Sequence, residues 1–328
     1  MILWTQFLIL VVIISVAGYF LSVYGDQVAE LSGLGKSWIG ATLIAMVTSL
    51  PELGSGISAV TIANAPDLAV ADIFGSCAFN LSILFMIDIL SRKKSMFDAA
   101  NESHIITSIM GLTLIGLACF ALILNIIGID ITLGHIGLSS CLLMITYFVF
   151  MKILYTAETS QYDPNHRRDS KKLSRAIIKF TCSALVVIGC GLYLPVLGNK
   201  IVIAMDWNQA FFGTLFLAFA TSLPEMIVTI SAFSIGSIDL AIGNVLGSNL
   251  FNIAILFIDD VFYKIGPIFS QVNPIHSITG LLAILMTSMA LLGFVLKPKK
   301  QILMYMSWPT LIIAVCYGFV MIILYHAG

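Results

Sequence analysis

The sequence predicts an all-α membrane protein. Ten transmembrane helices are expected, as two inverted-topology repeats of five, with helices two, three, seven and eight discontinuous and both termini extracytoplasmic. Three observations lead there. The 328 residues are 59% hydrophobic and only 10% charged, with a mean hydropathy of +1.03. A water-soluble domain carries roughly 25% charged residues, so too little charge is present to cover a surface facing water. Ten apolar segments are long enough to cross a bilayer, which takes roughly 20 residues. A five-residue motif, TSLPE, stands at 48–52 and again at 221–225.

The ten segments are 2–24, 37–63, 68–90, 104–125, 131–151, 174–197, 208–234, 239–262, 274–296 and 302–325. The first lacks a basic leader and exceeds a signal-peptide core, so it is expected to remain as a span. The longest polar connection, YTAETSQYDPNHRRDSKK at 155–172, divides the chain. Residues 1–154 are expected to form the first repeat, 155–173 a cytoplasmic loop and 174–328 the second repeat. That loop is too short for a regulatory calcium domain and has no EF-hand spacing. Basic residues set orientation. Lys36, the cluster Arg92–Lys94, the stretch from Lys152 to Lys179 and the trio Lys297, Lys299 and Lys300 flank odd-numbered connections, and only Lys200 and Lys264 flank even ones. Odd connections are therefore expected in the cytoplasm, with both termini outside.

Aligning the halves on TSLPE pairs Gly40 with Gly213, Ala45 with Ala218, Thr48 with Thr221 and Glu52 with Glu225, at an offset of 173. The match resumes downstream at an offset of 172, where ADIFGSCAFNLSILF (71–85) faces GNVLGSNLFNIAILF (243–257). There Gly75 meets Gly247, Ser76 meets Ser248, Phe79 meets Phe251 and Asn80 meets Asn252. An odd number of spans per half inserts the second copy upside down, and inverted repeats place their substrate site near the midplane.

Pro51 has no N–H for the carbonyl of Val47, and Pro224 none for that of Ala220, so each should loosen its helix. Thr48 and Glu52 lie four apart and share a helix face, as do Thr221 and Glu225, Ser76 and Asn80, and Ser248 and Asn252. Two carboxylates, hydroxyls, amide oxygens and loosened carbonyls form a hard oxygen set, suited to Ca²⁺ or Na⁺ rather than zinc or copper. A carboxylate at mid-membrane costs roughly 2.5–3.5 kcal/mol on the insertion scale. No Lys or Arg lies deep in a span to offset it. One divalent cation, or two monovalent ions or protons in turn, would compensate the glutamate pair, and such alternation is a basis for antiport.

Other classes fare worse. The six cysteines lie in apolar runs without CxxC or Cys/His clusters, so neither disulfides nor zinc is expected, nor any cofactor. A net charge of −1 argues against nucleic acid. A channel would need an axis along its pore, and no HExxH, paired catalytic aspartate or Ser–His arrangement points to an intramembrane enzyme. Asp88, Asp259 and Asp260 are expected at span ends, with Asp260 read as lacking an acidic counterpart and given no role. The histidines at 104, 135, 276 and 326 adjoin no second ligand.

The duplicated TSLPE, each copy followed by GS-x-x-x-N, resembles the Ca²⁺/cation antiporter superfamily, nearest its sodium/calcium exchanger branch, over the whole topology. The resemblance implies that helices two, three, seven and eight build the ion site. It implies Ca²⁺ held by Glu52, Glu225, Thr48 and Thr221. It implies Na⁺ held with help from Ser49, Ser222, Ser76, Ser248 and the carbonyls of Ala45 and Ala218, with Asn80 and Asn252 between. Sliding of 2–24 and 174–197 would alternate access. Na⁺ is the expected driving ion, because the proton-driven branch resembles GN-x-x-E with a following histidine, and H⁺ is the alternative. Inorganic cations and the lipid of a plasma or inner membrane are the expected partners, with the protein functional as a monomer. Three positions depart from symmetry or pattern: Asn252 where several relatives carry aspartate, Cys77 opposite Asn249, and Asp72 opposite Asn244, which adds an acid close to the site.

Overall fold

The computed structural model describes residues 2–91, 95–129, 131–159, 170–205, 219–298 and 306–327. Almost all of these are helical: α1 (Ile2–Ser32), α2 (Lys36–Ile39), a π-helical turn (Gly40–Ile44), α3 (Ala45–Thr48), α4 (Leu50–Thr61), α5 (Pro66–Leu90), α6 (Met96–Ala99), α7 (Ser103–Ile126), α8 (Leu138–Thr159), α9 (Ser170–Ala204), α10 (Leu223–Ser234), α11 (Ile238–Phe262), α12 (His276–Leu296) and α13 (Trp308–Ala327). Seven helices among the described residues are long and apolar enough to cross a membrane, or eight if the pair Lys36–Thr48 and Leu50–Thr61, bent by 42°, is one span. The expected spans at 208–234 and 302–325 begin outside the described residues, and α10 and α13 are their described parts.

Several boundaries differ from expectation. The first helix overruns 24 and reaches Ser32, because Gly25, Asp26 and Glu30 do not stop a helix whose polar side chains emerge at the membrane edge. Residues 131–137 are not helical: Thr132–Leu133 and Ile136–Gly137 pair as an antiparallel hairpin, turned at Gly134 with φ +70°, and α8 starts at Leu138. Helices three and eight are unbroken over their 25 residues each, correcting the expectation of four discontinuous helices. Neither carries an internal proline: Pro66 stands in the first turn of α5, where its missing N–H is no loss.

Among the described candidate spans the most enclosed is α11, with 83% of its most apolar window buried, against 33% for α1. The core behind the site unites Leu81, Leu84, Ile242, Val245 and Met286 from α5, α11 and α12. Helices α1 and α9 pack on each other through Leu21, Val28, Phe180 and Val187, and Lys179 lies 5.2 Å from the Tyr24 ring centroid. Their opposite faces expose Leu8, Val12, Val16, Ile178 and Leu185, a surface that lipid would cover.

Acids at the helix ends fasten the two halves reciprocally. Asp67 Oδ1 accepts from Asn273 N at 2.7 Å and from His276 Nε2 at 3.0 Å, and Asp239 Oδ1 accepts from Asn101 N at 2.7 Å and from His104 Nε2 at 3.0 Å. All three residue types recur at the offset of 172, so each half holds the other in the same way. Asp88 and Asp260 are a second such pair, accepting from Met96 N (3.4 Å) and Ile268 N (2.7 Å). The reading of Asp260 as an acid without a counterpart is therefore corrected. Of these three span-end acids the one without a counterpart is Asp259, whose equivalent is Ile87. Asp88 Oδ2 also accepts from Ser307 N, Ser307 Oγ and Thr310 Oγ1, each at 2.7 Å. Asp88→Ala would strand those donors at a wholly buried position. A loss of about 3 kcal/mol is expected, read as a lower thermal midpoint in detergent with ion preference unchanged.

Candidate functional site

The two motifs adopt one local geometry. Ser49 (φ −89°, ψ 8°) and Ser222 (φ −84°, ψ 4°) each stand at the break before a new helix, and Pro51 and Pro224 occupy the first turns of α4 and α10. The prolines thus start helices rather than interrupt them. The break places Glu52 and Glu225 in those same first turns, where exposed N–H groups favour negative charge. The chain resumes alike in both copies, with Leu53 N bonding Ser49 O at 3.3 Å and Met226 N bonding Ser222 O at 3.2 Å.

The side chains then cross between halves. Ser49 Oγ donates to Glu225 Oε1 at 2.8 Å, and Ser222 Oγ donates to Glu52 Oε1 at 2.9 Å. Thr48 Oγ1 donates to Asn244 Oδ1, and Thr221 Oγ1 donates to Asp72 Oδ1, both at 3.3 Å. Ser76 donates to Glu52 Oε1 at 3.4 Å and receives the Ser222 hydroxyl at 2.9 Å, while Thr48 and Ser248 hydroxyls are 3.4 Å apart. Thr48, Ser49, Glu52, Ser76, Asn80, Thr221, Ser222, Glu225, Asn244, Ser248 and Asn252 are all fully buried, and Asp72 is 4% exposed.

What this network leaves over is oxygen. Oε2 of Glu52, Oε2 of Glu225, Oδ2 of Asp72, Oδ1 of Asn80 and both amide atoms of Asn252 have no hydrogen-bond partner among the described residues. The two glutamates interact electrostatically across the break, and the ion pairs among the described residues involve other acids: Asp26 and Glu30 with Lys36, Asp239 with His104, and Asp67 with His276. Buried carboxylates with spare oxygens and no basic partner form a cation-binding arrangement. Asn80 is tied through Nδ2 to Asn249 Oδ1 at 3.2 Å, with its oxygen left free. The carbonyl of Ala45 accepts from Ser49 N (3.0 Å) and Thr48 Oγ1 (3.2 Å), so binding an ion would require exchanging one of these. The carbonyl of Ala218 lies outside the described residues.

Two partners were not selected from sequence as site residues. Asn244 joins the Thr48 hydroxyl to α10 through Thr229 Oγ1 at 2.9 Å, and Asn249 bonds the Cys77 carbonyl at 3.1 Å. A usable signal existed for the first: Asn244, Ser248 and Asn252, like Asp72, Ser76 and Asn80, recur every four residues and share one helical face. Asn249 breaks that spacing.

An uncharacterized membrane protein of Methanocaldococcus jannaschii is 24% identical over 229 residues, covering 70% of this chain and 71% of its own. Sodium/calcium exchanger MaX1 of Methanosarcina acetivorans is 25% identical over 291 residues, covering 78% and 82%. Putative antiporter CaxA of Alkalimonas amylolytica is 24% identical over 238 residues, covering 70% and 72%. Among solved structures, the sodium-calcium exchanger NCX_Mj soaked with 10 mM Na⁺ superposes with a TM-score of 0.77, at 19% identity over 98% of both chains, which establishes the shared fold. The family described as sodium/calcium exchanger protein matches residues 2–156 and 175–327, so that both copies of the motif fall inside it and the chain belongs to that family of membrane cation antiporters.

Proposed function

We propose that this protein exchanges Ca²⁺ for Na⁺ by alternating access around Glu52 and Glu225. The observation that carries the reading is the crossed Ser49–Glu225 and Ser222–Glu52 bonding, which leaves one unpartnered oxygen on each buried glutamate. The serines hold the carboxylates by one oxygen and leave the other for cargo. Ca²⁺ takes six to eight oxygen ligands. The free carboxylate oxygens, Thr48, Thr221, Asn80 and Asn252 supply the core of such a shell. Na⁺ ions would occupy the flanking hydroxyls of Ser49, Ser222, Ser76 and Ser248 with the carbonyls of Ala45 and Ala218, and their combined charge replaces that of Ca²⁺. A centre holding two buried carboxylates is costly when bare, so it reorients only when loaded with one cargo or the other.

The reciprocal hydrogen bonds are what a pseudo-twofold axis between two inverted five-helix halves would produce. With α1 and α9 packed on each other and exposed toward lipid, they are the elements free to slide across the rest. A monomer in a plasma or inner membrane satisfies this scheme. Ca²⁺/H⁺ exchange is the second reading, favoured by one observation: Asp72, which accepts from Thr221 of the opposite motif, adds a third acid within electrostatic reach of Glu52.

The deciding experiment is ⁴⁵Ca²⁺ uptake by purified protein in liposomes, with sodium and proton gradients imposed separately. Sodium-driven uptake is expected; flux that persists without sodium and collapses with the pH gradient would reverse the choice of driving ion. Asn252→Asp should change ion preference rather than stability, since both amide atoms of Asn252 are unpartnered. Unchanged selectivity among Ca²⁺, Na⁺ and other cations would remove that position from the site.

A further inference from the structure

Asp259 lies outside the crossed network, in the last turn of α11, and is fully buried, with neither carboxyl oxygen hydrogen-bonded among the described residues. Those oxygens lie against the backbone of Gly56, one turn along α4 from Glu52: a methyl group there would stand 2.5 Å from Oδ2 and 2.6 Å from Oδ1. Glycine leaves the acid this room, and a larger residue would have to displace the carboxylate. Asp72 lies within electrostatic reach of both Glu52 and Asp259; Ser55 and Thr221 interact with its carboxyl, and its Oδ2 has no hydrogen-bond partner among the described residues. The other acid beside Asp259 is Asp260, whose oxygens are taken by Gly137 N (2.9 Å) and Ile268 N (2.7 Å). No ion pair among the described residues involves Asp72 or Asp259. Glu52, Asp72 and Asp259 therefore lead from the motif toward the face where α4 and α11 end.

The other half has no such path. At the equivalent positions Asn244 replaces Asp72, Thr229 replaces Gly56 and Ile87 replaces Asp259. Asn244 Nδ2 and Thr229 Oγ1 are bonded to each other at 2.9 Å, so those groups are satisfied and neutral. The acids thus break the symmetry of the repeats on one side of the ion centre.

We propose that Asp259 and Asp72 form a transit site for Ca²⁺ between the Glu52–Glu225 centre and the membrane face bearing residues 263–275. This deepens the reading of Glu52 and Glu225 as the ion centre and rests on it. Three free carboxylate oxygens and two negative charges suit a hard divalent cation.

The test is the KM for Ca²⁺ measured separately from each face, in right-side-out and inside-out vesicles. Asp259→Asn should raise KM at least about tenfold from the 263–275 face and leave it within about twofold from the opposite face. General structural damage would move both faces together. Gly56→Ala keeps every acid but fills the space at the Asp259 oxygens, and it should give the same one-sided rise even if Asp259→Asn fails to fold. Unchanged or equally changed KM at both faces in the variants that fold, with Glu225→Gln abolishing uptake, overturns the transit site and leaves the ion centre standing. Normal uptake by Glu225→Gln overturns the ion centre itself.

Discussion

Glu52→Gln and Glu225→Gln should each abolish ⁴⁵Ca²⁺ uptake into sodium-loaded liposomes, with a loss of at least about 100-fold, or about 2.7 kcal/mol. Glutamine preserves the volume of the side chain and an oxygen that can accept the serine hydroxyl. The bonds Ser222–Glu52 at 2.9 Å and Ser49–Glu225 at 2.8 Å would therefore keep their geometry in the variants. What disappears is one of the two glutamate charges of the centre, which no basic side chain replaces among the described residues. With one glutamate charge left, the centre would compensate a bound Ca²⁺ less, in a medium that solvates it poorly. The folded protein should survive, because removing a buried charge relieves desolvation as well as removing attraction. Thermal midpoints at or above that of the unsubstituted protein, together with lost uptake, are the expected pair of results. Normal uptake in either variant would contradict a paired-glutamate centre. Ser49→Ala and Ser222→Ala should do less, since each frees one carboxylate oxygen without changing its charge.

The buried polar cluster was legible in the sequence wherever periodicity or repetition carried it. The two TSLPE copies and the four-residue spacing within each helix select Thr48, Glu52, Ser76, Asn80 and their partners, and the structure buries all of them. Asp72 was flagged by its mismatch with Asn244, and both do occupy equivalent places, each accepting a threonine hydroxyl from the opposite half. Features resting on backbone detail were not legible. The π-helical turn at Gly40–Ile44 leaves no mark in hydropathy, and a proline in an apolar run signals a helix start and a helix break alike. Asp259 and Asp88 looked the same in sequence, as acids near span ends. Only the placement of Gly56 beside one, and of Ser307 and Thr310 around the other, separates an unpartnered acid from a structural one.

Gly243→Leu should prevent folding, and the reason lies where the broken helix crosses α11. A methyl group on Gly243 would sit 2.6 Å from Ser37 O and 3.1 Å from Ala41 N; one on Gly40 would sit 2.5 Å from Leu240 O and 3.0 Å from Asn244 N. These neighbours are backbone atoms, which cannot rotate aside as a side chain does, and small residues at such crossings are what allow membrane helices to approach closely. A leucine would push apart two buried segments, at a cost of about 3 kcal/mol or more from overpacking alone. The same separation would break the Thr48–Asn244 bond at 3.3 Å and widen the Thr48–Ser248 approach of 3.4 Å, because both span this crossing. Gly243→Ala is the graded case: it should fold with a lower thermal midpoint and a Ca²⁺ affinity reduced about tenfold, since the helices need separate by only part of a methyl diameter. Gly40→Ala should match it, and the double variant should cost less than the sum, because one displacement relieves both contacts. A Gly243→Leu protein with unaltered midpoint and uptake would mean that the two helices do not cross at these glycines, and the threonine–asparagine arm of the site would then lack its support.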